Sequence, residues 1–484
     1  MLKWLSLPLL MMWLWSPSWG EPLSLEQACQ QALQQSPGIA RLQARVLEML
    51  QKVAEVEAGG NPRLDLQAGY SYMAPSLSFS GFPLIVNNNY RAGVILEQAL
   101  ATFGRLSWGR QAAELQVRSL EQELVRERQR LEYQVAVAYS RLQLARQAIE
   151  VAELSLQSRR RLLQDLNLRE KAGASAKFEV LLAEVARAQD QQRLVLAQQQ
   201  SQLAQSQLQV LLGWPRARPV ETLPLPEGAQ VPLPTPEQAL ETALKQRAEL
   251  QAMNYAVQAA EARVHLEESQ SNPTLGLQTR YDQRNATTFQ TSNQWSVGLE
   301  MRWPLFDGGL ARARSRQAEA VVSQLRAGRR ELERQIRLEV EEALVRCGSA
   351  FENLEVARHN LTSAGEAARL GELRFRAGVS THQEVLDAQA HLREARQSLF
   401  EAQQSLREAD WQLQLALGLM IFRTADSRKS MRELRSTPGD ESPGPVRKIS
   451  DGRGGTGNGP AGHAFVAGRA EAGSKPAGRL EDFC

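Results

Sequence analysis

The chain has 484 residues, 23% of them charged and only 6% aromatic, with a formal net charge of +3. So even a balance argues against a surface dedicated to polyanions, and nucleic acid is not an expected partner. The abundance of Ala, Leu, Gln, Arg and Glu points to long helices and coiled coils.

The chain begins MLKWLSLPLLMMWLWSPSWGEP. Lys3 precedes an apolar run from Trp4 to Trp15, and small residues Ser18 and Gly20 stand three and one before a cut ahead of Glu21. This pattern predicts a secretory signal peptide over 1–20, cleaved near Gly20. The run is short of the ~20 apolar residues that a membrane anchor needs. No Cys follows the cut, so lipid attachment is not expected. No later segment is long and apolar enough to be a spanning helix, so any entry into a membrane must use strands. Cys29, Cys347 and Cys484 form no paired spacing and imply no disulfide framework.

The mature sequence is duplicated. EQACQQAL at Glu26 recurs as EQALETAL at Glu237, and NPRLDLQAGY at Asn61 as NPTLGLQTRY at Asn272, each offset by 211 residues. Farther on, KAGASAKFEVLLAE aligns with RAGVSTHQEVLDAQ, Gly173 with Gly378 and Gly213 with Gly418, at an offset of 205. The repeats span 21–213 and 236–418. The linker, 214–235, lies within GWPRARPVETLPLPEGAQVPLPTP, whose seven prolines forbid a continuing helix.

Each repeat opens with a helix, 24–58 and 236–269, that ends before an Asn-Pro step (Asn61-Pro62, Asn272-Pro273), where the chain must become extended. Two hairpins follow, over 64–100 and 275–303. In Leu64–Met73, residues Leu64, Leu66, Ala68, Tyr70 and Tyr72 share one face, opposite Asp65, Gln67, Gly69 and Ser71. In Trp295–Trp303, residues Trp295, Val297, Leu299, Met301 and Trp303 oppose Ser296, Gly298, Glu300 and Arg302. Tyr90–Leu100 and Leu275–Asp282 alternate less strictly. Segments of about ten residues with aromatics near their ends fit tilted membrane strands. A soluble half-buried sheet is the other reading of the pattern. Four strands cannot close a barrel, and an open edge cannot face lipid, so a membrane protomer would share its barrel with copies of itself. The loops Ala74–Asn89 and Arg284–Asn293 read as polar or irregular.

Long proline-free helices are expected over 107–168 and 310–375, each turning back at a tip into helices 176–212 and 381–418. Helices of this length need coiled-coil packing. In the last one, Val385, Leu392, Leu399, Leu406 and Leu413 recur every seven residues, with Ala388, Ala395, Ala402, Ala409 and Ala416 three later. The first-half helix keeps this code at Leu194, Ala197, Ala204 and Leu208 but departs from it at Arg187 and Asp190. Residues 423–484, rich in Gly, Pro and Arg, are expected to be a disordered tail. The Gly452-x-Gly454-x-x-Gly457 string lies there without a strand or helix to support a nucleotide site. No catalytic constellation, cofactor motif or metal-ligand cluster is found, so an enzyme is not expected.

Several stretches together resemble TolC-like outer membrane efflux proteins over about 24–420. They are the opening LSLEQACQQALQQSP, the duplicated helix–hairpin–helix plan, PLFDGG, and RFRAGVSTHQEVLDAQAHLREARQSLFEAQQSLREADWQLQLALG. The resemblance implies a mainly α fold with β: a long α-helical barrel of coiled coils plus four membrane strands per protomer. Three copies would complete a twelve-stranded β-barrel. It also implies a passive duct in the outer membrane, in contact with its lipid and reaching into the periplasm. The expected partners are a periplasmic adaptor (membrane fusion) protein and an inner-membrane transporter. The linker would contribute to an equatorial belt.

By the same resemblance, the adaptor would touch the helical tips around Lys171, Gly173 and Ser175 and around Arg376, Gly378, Ser380 and Thr381. Glu384 and Asp387 occupy positions where family members carry carboxylates lining a narrow periplasmic entrance. Glu179 matches Glu384 in the first half, while Leu182 replaces the second acid. Ser380 stands where some members carry a latching Arg. Thr381-x-x-Glu384 also reads as a capping box, in which Glu384 only caps its helix; with Ser380 as the cap, Glu384 would be free to face a pore. The alternative function is a soluble periplasmic coiled-coil scaffold or adaptor.

Overall fold

The structure is a computed structural model, and it describes residues 22–74, 77–80, 82–85, 87–173, 175–225, 233–284, 293–377 and 379–420. The expected signal peptide, the tail 423–484 and Cys484 lie outside the described residues, as do Gly378 and the loop 285–292.

Each repeat begins with two helices where one was expected: α1 (Leu25–Gln35) and α2 (Pro37–Ala58), then α5 (Pro236–Gln246) and α6 (Ala248–Glu268). Ser36 and Arg247, at equivalent positions, are extended with φ/ψ of −69°/118° and −64°/120°. In the first half the cause is local. Pro37 pushes Ser36 out of the helical region, and the Ser36 hydroxyl caps the new helix through the Ile39 N–H. In the second half Ala248 follows, and tertiary contacts hold the break. The buried Arg247 donates from Nε to the Ala416 carbonyl at 2.7 Å and from NH1 to Glu249 at 3.0 Å and Glu339 at 2.5 Å. The helix starts match better: Ser24 with Gln27 and Thr235 with Gln238 each form a reciprocal capping box.

Four strands form one antiparallel sheet in the order β1–β4–β5–β6: β1 (Arg63–Tyr72), β4 (Asn88–Ala101), β5 (Thr274–Arg284) and β6 (Asn293–Arg302). Between β1 and β4, the loop expected to be irregular carries a small hairpin of its own, β2 (Leu77–Phe79) with β3 (Phe82–Ile85). Its apolar Leu-Ser-Phe and Phe-Pro-Leu-Ile segments pair with each other, a local pairing that a polarity reading of the whole loop misses.

Below the sheet run α3 (Arg105–Lys171) and α7 (Leu310–Arg376), each 67 residues and therefore about 100 Å long. Both start at matched left-handed positions: Phe103 and Gly104 at φ 44° and 99°, Gly308 and Gly309 at 66° and 88°. At 308 the second half uses the glycine such a φ favours; at 103 a phenylalanine bears it. Helix α3 packs along α2 and along α4 (Lys177–Leu212), and α7 along α6 and along α8 (His382–Ala416). Helix α3 also packs against α6 and α8, joining the halves.

The first core centres on Leu124, Val135, Tyr139, Leu142, Leu208 and Leu212, the second on Ala243, Ile336, Val340, Ala343, Ala409 and Leu413. The start of the Pro-rich linker belongs to the first. Val220 is fully buried, and the Tyr139 hydroxyl lies 2.7 Å from the carbonyls of Leu23 and Leu223. Cys29 and Cys347 are free and buried in the two cores. Along the seam of α8, Val385, Ala395, Ala409, Leu413 and Ala416 are buried, and Ala388, Leu392, Leu399, Ala402 and Leu406 are half-buried.

Candidate functional site: a two-faced sheet and two helical tips

The strand register sorts the sheet into two faces. Leu64 lies opposite Leu96, Leu66 opposite Val94, Tyr70 opposite Tyr90, Leu277 opposite Leu299 and Tyr281 opposite Trp295. With Val94 opposite Tyr281, these residues form one continuous apolar face across all four strands. On the outer strands they stay exposed, Leu66 at 76%, Trp295 at 75% and Leu299 at 68%, while Val94, Leu96 and Leu277 on the inner strands are half-buried. The rings of Tyr70 and Tyr90 stack at 6.1 Å near the loop end, and the Tyr70 hydroxyl donates to Asn88 at 2.8 Å. The other face is mostly polar, with Ile95 buried among its side chains. It carries Asp65, Gln67, Arg91, Glu97, Gln278, Arg280, Asp282, Glu300 and Arg302, with Gln278 donating to Glu97 at 2.9 Å. An apolar face this long has no counterpart in a water-soluble sheet, whereas lipid would cover it and water would wet the other side. The contributions of β4 and β5 were the weaker ones in the sequence, because Thr279, Gln283 and Gln98 interrupt their apolar sets.

At the far end of the coils, α3 closes through Ala172 N–H to Leu168 O and Gly173 N–H to Glu170 O, with Gly173 left-handed at φ 71° in open space. Lys171 is the last residue of α3, and Ser175 donates to the Glu179 carboxylate at the start of α4. In the second tip α7 ends at Arg376. The Val379 N–H reaches back five residues to Arg374 O, the long bond of a Schellman-type helix end.

Thr381, not Ser380, caps α8: its hydroxyl accepts the Glu384 N–H at 3.3 Å. The same hydroxyl donates to the Glu384 carboxylate at 3.4 Å, while the return bond of a full capping box, from the cap's N–H to that carboxylate, is not made among the described residues. The expectation that Ser380 must take the cap to release Glu384 is therefore replaced. A threonine hydroxyl satisfies the helix end alone, so Glu384 is exposed while Thr381 is the cap. Asp387, also exposed, accepts from Gln383 at 2.9 Å. Neither acid joins an ion pair among the described residues, and Val385 between them is buried. The Ser380 hydroxyl is enclosed without a partner among the described residues. In the first half Glu179 is exposed, beside exposed Phe178, Leu181 and Leu182.

Between sheet and tips lies a group that the sequence marked only as a departure from the seam. Asp190 is 2% exposed. It accepts from Ser155 Oγ at 2.9 Å, Arg159 Nε at 3.3 Å and Arg193 NH1 at 3.2 Å. Arg393 of α8 faces the same cluster, and its guanidinium is pushed below the usual arginine value by burial and by repulsion from Arg159 and Arg193. A carboxylate can occupy a seam position here because α3 and α8 supply the counter-charge.

Among the described residues no helix is long and apolar enough to cross a membrane, and no cluster of potential metal ligands is present. A sheet with one lipid-suited and one mostly polar face, unpaired at both edges among the described residues and set on two helical hairpins of about 100 Å, defines a β-barrel channel protomer with a helical extension. The Outer membrane efflux protein family matches residues 28–214 and 239–419, nearly the whole of both repeats. The chain belongs to that family, whose members are channels of the outer membrane. It is 30% identical over 393 residues to protein CyaE of Bordetella pertussis, covering 78% of this chain and 80% of that one. It is 26% identical over 293 residues to the outer membrane efflux protein BepC of Brucella suis, covering 58% and 61%. In fold it is similar to CusC, with a TM-score of 0.69 at 20% identity over 82% of this chain and 92% of that one. It is also similar to the Vibrio cholerae outer membrane protein VceC, with a TM-score of 0.68 at 21% identity over 82% and 97%.

Proposed function

We propose that this chain is the exit duct of a tripartite efflux or type I secretion system. It passively carries substrates from an inner-membrane transporter and its periplasmic adaptor across the periplasm and the outer membrane. The observation that carries this reading is the sheet. One face is apolar, the other mostly polar, and among the described residues both edge strands lack a partner. A single protomer cannot stay in lipid with two open edges, so copies must close the barrel, and three copies give twelve strands.

The exposed acids Glu384 and Asp387, with Glu179, form the cation-favouring entrance of this duct. The adaptor meets the tips at Lys171, Gly173 and Ser175 and at Arg376, Gly378, Ser380 and Thr381. The signal peptide is removed near Gly20, and the tail 423–484 is dispensable for assembly. The test is fractionation followed by planar-bilayer recording. A trimer in the outer-membrane fraction with stable conductance is expected. A soluble periplasmic monomer would sink the proposal and favour the scaffold reading.

A further inference from the structure

Charge is unevenly placed along the polar face of the sheet. Toward the helices its arginines are paired, Arg63 with Asp65 at 2.9 Å and Arg302 with Glu300 at 3.1 Å. Farther out on β5, Arg280 and Asp282 stand 4.0 Å apart, and the Asp282 carboxylate lies over Gly93, in space that a Cβ there would need. The next row outward is the last that β4 and β5 share, and it sets Arg91 directly opposite Arg284. Both belong to the polar face, since Arg284 is two residues from Asp282 along β5. Neither guanidinium has a hydrogen bond or ion pair among the described residues. Arg91 lies across Gly69 of β1, its Nε 3.8 Å from where a Cβ would stand.

Like charges directly opposite each other destabilise an antiparallel pair. Nothing in the neighbouring sequence offsets this one. No residue from Leu66 to Tyr90 or from Asn285 to Leu299 is charged, so the segments beyond the row bring no acid to it. In the rows below, Asp282 faces Arg280 and Asp65 is held by Arg63. Each copy therefore presents two uncompensated guanidiniums, and three copies closed into a barrel would present six.

We propose that Arg91 and Arg284 form an anion-binding collar at the outer mouth of the duct, taking the phosphate or carboxylate groups of a soluble cargo. This rests on the exit-duct reading and specifies the chemistry of its exit. A guanidinium stays charged at any physiological pH, and its planar fork grips two oxygens of a phosphate or carboxylate at once. The pair faces away from the apolar side of the sheet, so its ligand arrives through water and not from the bilayer. The entrance acids Glu384 and Asp387 carry the opposite sign. The collar thus concentrates anions at one end of a duct whose other end repels them.

Planar-bilayer recording of the full chain, with inorganic tripolyphosphate or citrate added to each side in turn, tests the collar. Either anion should block the wild-type channel from one side, at concentrations about tenfold or more below those that block Arg91→Gln with Arg284→Gln. The block should weaken as salt is added. Arg302→Gln, which removes a paired arginine from the same face, should keep it. Arg91→Lys with Arg284→Lys retains the charge without the fork and should keep a block weakened several-fold. A wild-type channel indifferent to both anions from either side overturns the collar without recourse to any variant and leaves the duct intact. Equal block of the wild type and the paired Gln variant, or an equal loss in Arg302→Gln, does the same. A soluble, non-conducting parent protein overturns the duct reading itself.

Discussion

Replacing Asp190 with alanine isolates the buried charge cluster. The carboxylate is 2% exposed and holds the Arg159 guanidinium, itself only 17% exposed, at 3.3 Å. Removing one partner of a buried pair costs about 3–5 kcal/mol, because the other charge is left uncompensated. Arg193 is 68% exposed and adds little, so about 3 kcal/mol is expected, near the lower bound. The second repeat supplies the control. Its residues equivalent to Asp190 and Arg159 are Ala395 and Ala364, both buried, so the same seam closes without charge. Asp190→Ala with Arg159→Ala should recover at least half of the loss, a coupling of about 1.5 kcal/mol or more. Urea unfolding of the purified protein in detergent, followed by helical circular dichroism, gives the four corners of the cycle. Additive losses, or a single-mutant loss under about 0.5 kcal/mol, would refute the idea that the carboxylate holds α3 and α8.

Changing Glu384 to Gln together with Asp387 to Asn should lower cation selectivity and weaken block by divalent cations in bilayers; unchanged selectivity returns both acids to a solvated helix face. Gly418→Ala should destabilise by about 2 kcal/mol or more, since φ is 75° and a Cβ would sit 2.8 Å from the Arg247 nitrogen. Gly173→Ala, at φ 71° in open space, should cost only about 1 kcal/mol, and equal melting shifts for the two would contradict this account. Cys29 should resist alkylation at mildly alkaline pH until the protein unfolds, because burial, helped by Glu132 and Glu26, pushes its thiol far above the ordinary value. Rapid labelling of folded protein would count against it. The Asp307 carboxyl is held below its ordinary value by the Ala311 and Gly309 N–H groups at the start of α7. Its contribution should be present at neutral pH and lost as pH falls through that lowered value, so an Asp307→Ala difference in fraying of α7 should vanish in acid.

The sequence by itself determined the plan. Two offsets, 211 and 205, placed both repeats, and period-two alternation and a proline-free heptad seam supplied strands and coils within a few residues of their bounds. Those features are local, so they survive without knowledge of neighbours. The break at Ser36 was legible in Pro37; its twin at Arg247 was not, because contacts with Ala416, Glu249 and Glu339, distant in sequence or across a turn, hold it. The choice of Thr381 as cap depended on hydroxyl geometry, which spacing leaves open. Asp190 looked like a flaw in a seam until α3 and α8 brought charges to it. The pairing of β4 with β5 across 180 residues set the faces and the register, since a strand's pattern gives its own two sides but only its partner decides which residue lies opposite.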